Sequence, residues 1–197
     1  SLQLFLAATS APLLLLAALL DERRRTAALL RQFEARTQLA ASSTDTARYK
    51  ATLIAGERLL DLTGGMGVDT LALAPHFSAV TYVERDPWLC QCFAHNFTHL
   101  TDQYIEIVQA SAEDYLPSVT GPVVVFIDPA RRDGSARGRV RLQDASPDVL
   151  ALLPLLRSRA HRVLVKASPM LDISEAVRQL GEVTDVHVVA VGGECKE

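Results

Sequence analysis

The stretch Leu59-Leu60-Asp61-Leu62-Thr63-Gly64-Gly65-Met66-Gly67-Val68-Asp69 constrains this chain more than any other. Leu59 to Leu62 reads as a short buried strand, a helix begins near Val68, and three glycines in four residues lie between them. A turn this tight needs residues that tolerate positive φ and let a ligand reach bare backbone. The glycines alone are compatible with a dinucleotide, a phosphate or S-adenosylmethionine (SAM). A P-loop would need Gly-Lys-Ser/Thr, which is absent, and the spacing G-x-G-x-x-G would need a glycine where Thr70 stands. Asp61 at the strand end would repel a pyrophosphate but suits the cationic methionine end of SAM. Asp61, Thr63, Gly64, Gly65, Gly67 and Asp69 are therefore the candidate cofactor contacts at this corner.

From here on strands and helices alternate. The pattern predicts strands near 58–62, 79–84, 105–109, 122–127, 162–166 and 184–191, and helices near 68–75, 87–99, 112–116, 147–158 and 173–180. Such alternation argues an α/β fold, a Rossmann-like parallel sheet with helices on both faces, whose ligands lie at the carboxyl ends of the strands. A small N-terminal helical region, residues 1–45, is expected to precede the main domain, 46–197, with Ala41–Asp45 as a linker. The apolar run Leu4–Leu20 is interrupted by Thr9, Ser10 and Pro12 and lacks a preceding basic region, so it reads as buried helix rather than a membrane span. The sequence stops after Val191-Gly192-Gly193-Glu194-Cys195-Lys196-Glu197, straight after an apolar strand, so a further downstream segment is expected. A net charge of -3 gives no global basic field, and three cysteines, Cys90, Cys92 and Cys195, fit a reducing cytoplasm rather than a disulfide framework.

The remaining chemistry sits at strand ends. Val80-Thr81-Tyr82-Val83 runs into Glu84-Arg85-Asp86-Pro87, and Glu84 lies where an acid would accept both hydroxyls of a ribose, with Arg85 beside it. Ser111 and Ala112 occupy the corner that would meet an adenine, although Ser111 and Asp114 also have the spacing of a helix cap. Phe126-Ile127-Asp128-Pro129-Ala130-Arg131-Arg132 is the most chemical stretch after the glycine turn. Asp128 and the Pro129 carbonyl can orient an acceptor amine for in-line displacement, and these two are the candidate catalytic positions. An aromatic that would stack a base is missing, and Arg131 stands in its place. Arg131, Arg132, Arg137, Arg139 and Arg141 crowd one loop, which reads either as a phosphate grip or as a solvated loop with internal ion pairs. Lys166 and Ser168 point toward the same pocket as possible substrate contacts, while Asp172 with Glu175 reads as a helix cap. Cys90 and Cys92 share a helix whose expected buried stripe is Leu89, Phe93, Phe97 and Leu100, so packing is favoured over nucleophilic catalysis. His95 and His99 lack the glutamate of a zinc protease motif, no Cys-x-x-Cys pair exists, and no metal is expected.

Together these residues resemble a class I SAM-dependent methyltransferase. More narrowly, the chain resembles a bacterial family with an N-terminal helical region, this core and a C-terminal THUMP-like domain. That likeness is carried by Ser42-Ser43-Thr44-Asp45-Thr46-Ala47-Arg48-Tyr49-Lys50, the glycine turn, Asp128-Pro129-Ala130-Arg131-Arg132, Lys166-Ala167-Ser168-Pro169-Met170-Leu171-Asp172 and Glu194-Cys195-Lys196-Glu197. Thr63 at the first glycine position, Ser111 in place of an acid and the missing aromatic depart from the general pattern. The resemblance implies an RNA-modifying enzyme without naming its substrate, and the leading expectation is a SAM-dependent methyltransferase of a base in tRNA or rRNA, cytoplasmic, with RNA as partner, SAM as cofactor and no membrane. Alternatives are methylation of a small molecule or protein, and a non-catalytic RNA-binding scaffold.

Overall fold

A computed structural model describes Asp21, Arg23, Arg24 and residues 44–97, 100–131 and 141–197, with only the backbone of Arg131. The N-terminal helical region and the run Leu4–Leu20 lie outside the described residues, apart from Asp21, Arg23 and Arg24, which are helical. The chain divides into two units, Ser1–Ala41 and Ser42–Glu197, and every element named below belongs to the second. Among the described residues no helix is long and apolar enough to cross a membrane.

The elements follow in the order α1 (Thr44–Ala51), β1 (Gly56–Asp61), α2 (Val68–Leu73), β2 (Phe77–Glu84), α3 (Pro87–Phe97), β3 (Ile105–Gln109), α4 (Ala112–Tyr115) and β4 (Val123–Ile127). Then come β5 (Ala130–Arg131), β6 (Ala145–Ser146), α5 (Val149–Arg159), β7 (Ala160–Val165), α6 (Ile173–Leu180), β8 (Ala190–Val191) and β9 (Glu194–Cys195). Five strands form a parallel sheet in the order β3-β2-β1-β4-β7. Helices cover both faces, which is why Val123–Ile127 is buried at every position instead of alternating with polar residues. Neighbouring side chains serve opposite faces. Leu59, Val80, Tyr82, Val124 and Phe126 pack with Ala51, Leu73, Cys90 and Phe93 on one side. Leu60, Val83, Val123, Val125 and Ile127 pack with Ala112, Leu116, Val149, Leu152 and Leu156 on the other.

Helix starts are fixed by local side chains. Ser111 accepts from the Asp114 N–H, Asp148 from those of Leu150 and Ala151, and Asp172 from that of Glu175. Each satisfies a donor that a helix start leaves without an internal partner.

Three expectations need correction. Residues 184–191 do not form a strand of the sheet: only Ala190–Val191 pairs, with Glu194–Cys195 in a short antiparallel ladder. Alternating valines supply a strand-like pattern, but a strand exists only with a partner. Val186 and Val188 are exposed instead. Thr44 and Asp45 begin α1 rather than close a linker. Leu100 lies beyond the end of α3 and is exposed, so the buried face of that helix is carried by Cys90 and Phe93, with Phe97 packed against them.

Candidate active site

The chain leaves β1 toward β2 and β3, then returns on the other side through β4 and β7, so the switch point of the sheet lies between β1 and β4. A crevice at the carboxyl ends of such strands is where ligands bind in open α/β sheets. Asp61 closes β1 there with 1% exposure. Its Oδ1 accepts the Thr63 N–H at 3.0 Å and its Oδ2 accepts the Thr70 hydroxyl at 2.6 Å. Burial pushes the carboxyl up to about 7, against the two hydrogen bonds and with help from the charges of Asp69 and Asp128. The Thr63 hydroxyl accepts the backbone N–H of Asp128 at 2.6 Å and so ties the ends of β1 and β4 together. A glycine at position 63 could not make that tie.

The glycine turn rests on an aromatic floor. Tyr82 and Phe93 stack with centroids 4.1 Å apart and planes 5° from parallel. A Cβ on Gly64 would lie 2.1 Å from the Tyr82 ring, and one on Gly67, at φ +78, would lie 2.1 Å from the Phe93 ring. These two glycines are therefore required by packing inside the protein. Gly65, at φ +54, differs: the nearest atom to its Cβ position is the Thr63 carbonyl oxygen at 3.7 Å. Its own carbonyl accepts the Tyr82 hydroxyl at 2.6 Å, and its N–H donates to Glu84 at 2.9 Å. Glu84 also accepts the Asp86 N–H at 2.8 Å, so its carboxylate fixes the glycine turn and the start of α3 at once.

Beyond this turn, charged side chains from five places converge. Lys50 of α1, only 4% exposed, lies 2.9 Å from Asp69 Oδ1 and 2.7 Å from Glu197 Oε1. Lys166, just after β7, lies 2.8 Å from Asp128 Oδ2 and 3.9 Å from Glu197 Oε1. The Lys50 ammonium also sits 5.9 Å from the centre of the Phe126 ring. Burial raises the Asp128 carboxyl, and Lys166 opposes that shift. For Lys166 burial pulls the other way, yet Asp128, Asp69 and Glu197 outweigh it and hold the ammonium above its ordinary range. Sequence reasoning had singled out Asp69, Asp128 and Lys166 but assigned nothing to Lys50 or Glu197. Both stand at the ends of stretches quoted above, Lys50 closing Ser42–Lys50 and Glu197 closing Glu194–Glu197.

Known proteins are similar to this chain in sequence and fold. No family model matches the chain. An uncharacterized S-adenosylmethionine-dependent methyltransferase of Mycobacterium tuberculosis is 32% identical over 157 residues, covering 80% of this chain and 42% of that protein. A ribosomal RNA small subunit methyltransferase J of Alkalilimnicola ehrlichii is 33% identical over 131 residues, 55% of this chain and 50% of that one. A crystal structure from Porphyromonas gingivalis W83, assigned as a methyltransferase, superposes with a TM-score of 0.72 at 31% identity, covering 81% of this chain and 40% of its own. The chain resembles the class I SAM-dependent methyltransferases in sequence and in fold. It spans 42% of the length of the mycobacterial relative and half of the ribosomal RNA methyltransferase.

The other expected site residues either make contacts of their own or lie outside the described residues. Ser111 uses its hydroxyl as the cap of α4, accepting the Asp114 N–H and donating to the Asp114 carboxylate at 2.7 Å, while Ala112 is buried beside it. Arg85 is directed to the Ser146 hydroxyl at 3.0 Å. Asp128 and Pro129 leave β4 at the switch point, and the Arg131 backbone pairs with Ala145. Ser168 begins the turn whose N–H at Leu171 returns to the Ser168 carbonyl. Arg132, Arg137, Arg139 and His99 lie outside the described residues. Cys90 is buried with its thiol directed at the Glu84 carbonyl 3.3 Å away, and burial raises the pKa of both Cys90 and Cys92. Such thiols are poor nucleophiles. A cavity of about 570 Å³ lies beside β7, lined by Leu164, Leu171, Val177 and Val188, with Lys50, Lys166 and Glu197 also on its wall. Asp61, the turn glycines and Asp128 do not line it.

Proposed function

We propose that this chain is the catalytic core of an RNA methyltransferase that binds SAM at the switch point between β1 and β4. One observation supports the reading: the buried carboxyl of Asp61, the open face of Gly65, Glu84 and Asp128 all lie at or just after the carboxyl ends of the adjacent strands β1, β2 and β4. The donor set suits a cation. Four carboxyl groups, Asp61, Asp69, Asp128 and Glu197, stand against two ammonium groups, Lys50 and Lys166. When bound, SAM supplies an activated methyl group on a positively charged sulfur. Asp61 and Asp69 face the cationic end, Gly65 admits the ligand to its backbone, and Glu84 is placed for the ribose hydroxyls. Thr63 acts indirectly by holding Asp128 against the end of β1. Asp128 and Pro129 orient the acceptor, with Lys166 and Ser168 near it, and Arg131, Arg132, Arg137 and Arg139 grip phosphate. Ser111 and Ala112 sit at the adenine corner and Arg85 beside Glu84. An RNA substrate, tRNA or rRNA, is supported by the name of the Alkalilimnicola relative. In this reading an accessory helical region precedes the methyltransferase domain, which starts at Ser42, and the setting is cytoplasmic.

Calorimetric titration of S-adenosylhomocysteine tests the pocket, with Glu84→Ala as the comparison. Micromolar binding that the substitution abolishes is expected. A folded wild-type protein that takes up no S-adenosylhomocysteine, or binds it equally well without Glu84, would overturn the assignment.

A further inference from the structure

Around Asp128 the charges alternate in sign. Asp69, Lys50, Glu197, Lys166 and Asp128 form a chain of ion pairs at 2.9 Å, 2.7 Å, 3.9 Å and 2.8 Å. Lys50 and Glu197 are nearly buried, at 4% and 8% exposure of their side chains, so the far end of this chain is fixed. Its near end holds the Lys166 ammonium against Oδ2 of Asp128. Any nucleophile that Asp128 orients therefore meets a fixed ammonium as well as a carboxylate.

The two kinds of acceptor in RNA respond to that ammonium in opposite ways. A base amine that attacks a methyl group becomes cationic before it loses a proton, and a neighbouring ammonium raises the energy of that state. It also needs carbonyl or carboxylate oxygens for its N–H groups, and Lys166 already occupies one of them. A sugar hydroxyl attacks while it loses its proton, so its oxygen gains negative charge, which an ammonium stabilises. Position 131 is arginine, where an aromatic would otherwise stack an extruded base. Within an RNA strand the free sugar hydroxyl is the 2′-OH. Resting on the methyl transfer proposed above, we infer that the acceptor is a ribose 2′-hydroxyl of RNA, with Asp128 taking its proton, Lys166 stabilising its oxygen, and Lys50 and Glu197 as positioning residues.

In that step the acceptor O–H bond breaks and its proton passes to the Asp128 carboxylate. The oxygen forms a bond to the methyl carbon as the carbon–sulfur bond breaks, and that electron pair stays on sulfur. Lys166 remains an ammonium throughout. Asp128 then returns its proton to water as product leaves. Burial holds the Asp128 carboxyl above the ordinary carboxylate range, which makes it a better proton acceptor than an exposed aspartate.

The test deletes the gene in its own organism and compares the nucleosides of total rRNA and tRNA by mass spectrometry. The deletion is complemented with the wild-type protein or with Lys166→Met in the full chain. One 2′-O-methylated nucleoside should disappear on deletion, return with the wild type and stay absent with Lys166→Met. Purified Lys166→Met should still bind S-adenosylhomocysteine with undiminished affinity, which separates a lost step from a lost fold. Disappearance of a base-methylated nucleoside instead would overturn the hydroxyl acceptor while leaving RNA methyl transfer standing. An unchanged nucleoside profile would overturn RNA ribose as the acceptor, and the S-adenosylhomocysteine titration of the wild type would then decide whether the cofactor assignment falls with it. The deletion reads the acceptor whether or not the variant folds.

Discussion

Asp61→Asn should make the protein more stable in mild alkali and leave it little changed in mild acid. The wild-type carboxyl is 1% exposed, and burial moves its pKa from 3.8 to about 7. In the unfolded chain it titrates near its ordinary value of about 3.9. Between those two values the folded protein keeps a proton that the unfolded chain has released. Folded stability from this group is therefore complete below about pH 4, falls as pH rises through the window, and is lost above about pH 7. The displacement corresponds to roughly 4 kcal/mol across the window. Asparagine does not ionise, so it escapes that loss, but it weakens one of the bonds from Thr63 and Thr70. Subtracting about 1 kcal/mol for that bond leaves an advantage of about 3 kcal/mol for the variant at pH 8. Urea unfolding of both proteins at pH 5 and pH 8 measures it. A stability difference between variant and wild type that is the same at both pH values would refute the reasoning, because it would mean that Asp61 does not titrate in this window.

Gly64→Ala and Gly67→Ala each place a methyl group 2.1 Å from an aromatic ring and should cost about 2–4 kcal/mol through overpacking, with backbone strain added at Gly67. Gly65→Ala meets nothing closer than 3.7 Å and should cost only about 1–2 kcal/mol of left-handed strain, so thermal unfolding should rank it well above the other two. Lys50→Met strands two carboxylates that it holds at 2.9 Å and 2.7 Å and should lose about 3–5 kcal/mol in chemical denaturation. Adding Glu197→Leu to Lys50→Met should cost less than the sum of the single changes, since the two residues share one buried pair. Near pH 6, SAM binding should release a proton as the cation draws Asp61 into its ionised form, a release that calorimetry in buffers of different ionisation enthalpy would reveal.

What sequence disclosed here was what local rules govern. The strand ending in Asp61, the turn after it, the caps Ser111 and Asp172, and the buried run Val123–Ile127 all follow from residue type and spacing within a few positions. The strand expected at 184–191 failed because pairing is not a local property, and the pattern carries no information about whether a partner edge lies alongside. The glycines were legible as glycines, but the reason for two of them was not. Nothing near Gly64 or Gly67 announces that Tyr82 and Phe93 will stack beneath them. Lys50 and Glu197 illustrate the same limit: their contact joins positions 147 apart, and only the folded chain brings them within 2.7 Å.

The distribution of those lysines sets the two aspartates at the switch point apart. Asp61 ends β1 and Asp128 directly follows the neighbouring β4; Asp61 is buried and Asp128 half-buried, and desolvation raises both carboxyls. They differ in partners. Asp61 accepts from a hydroxyl and an amide, neutral donors that offset only part of the desolvation. Asp128 has the Lys166 ammonium at 2.8 Å, a full charge that opposes burial directly. A crevice with this division holds two functions apart. The acid without a lysine is the one whose charge a cationic ligand can call up on binding. The acid with a lysine has a cation beside it before any ligand arrives, which favours the ionised form that can receive a proton from an acceptor. Moving the lysine would exchange those roles, which is why its placement at the end of β7, beside Asp128 rather than Asp61, is the most informative electrostatic feature of the fold.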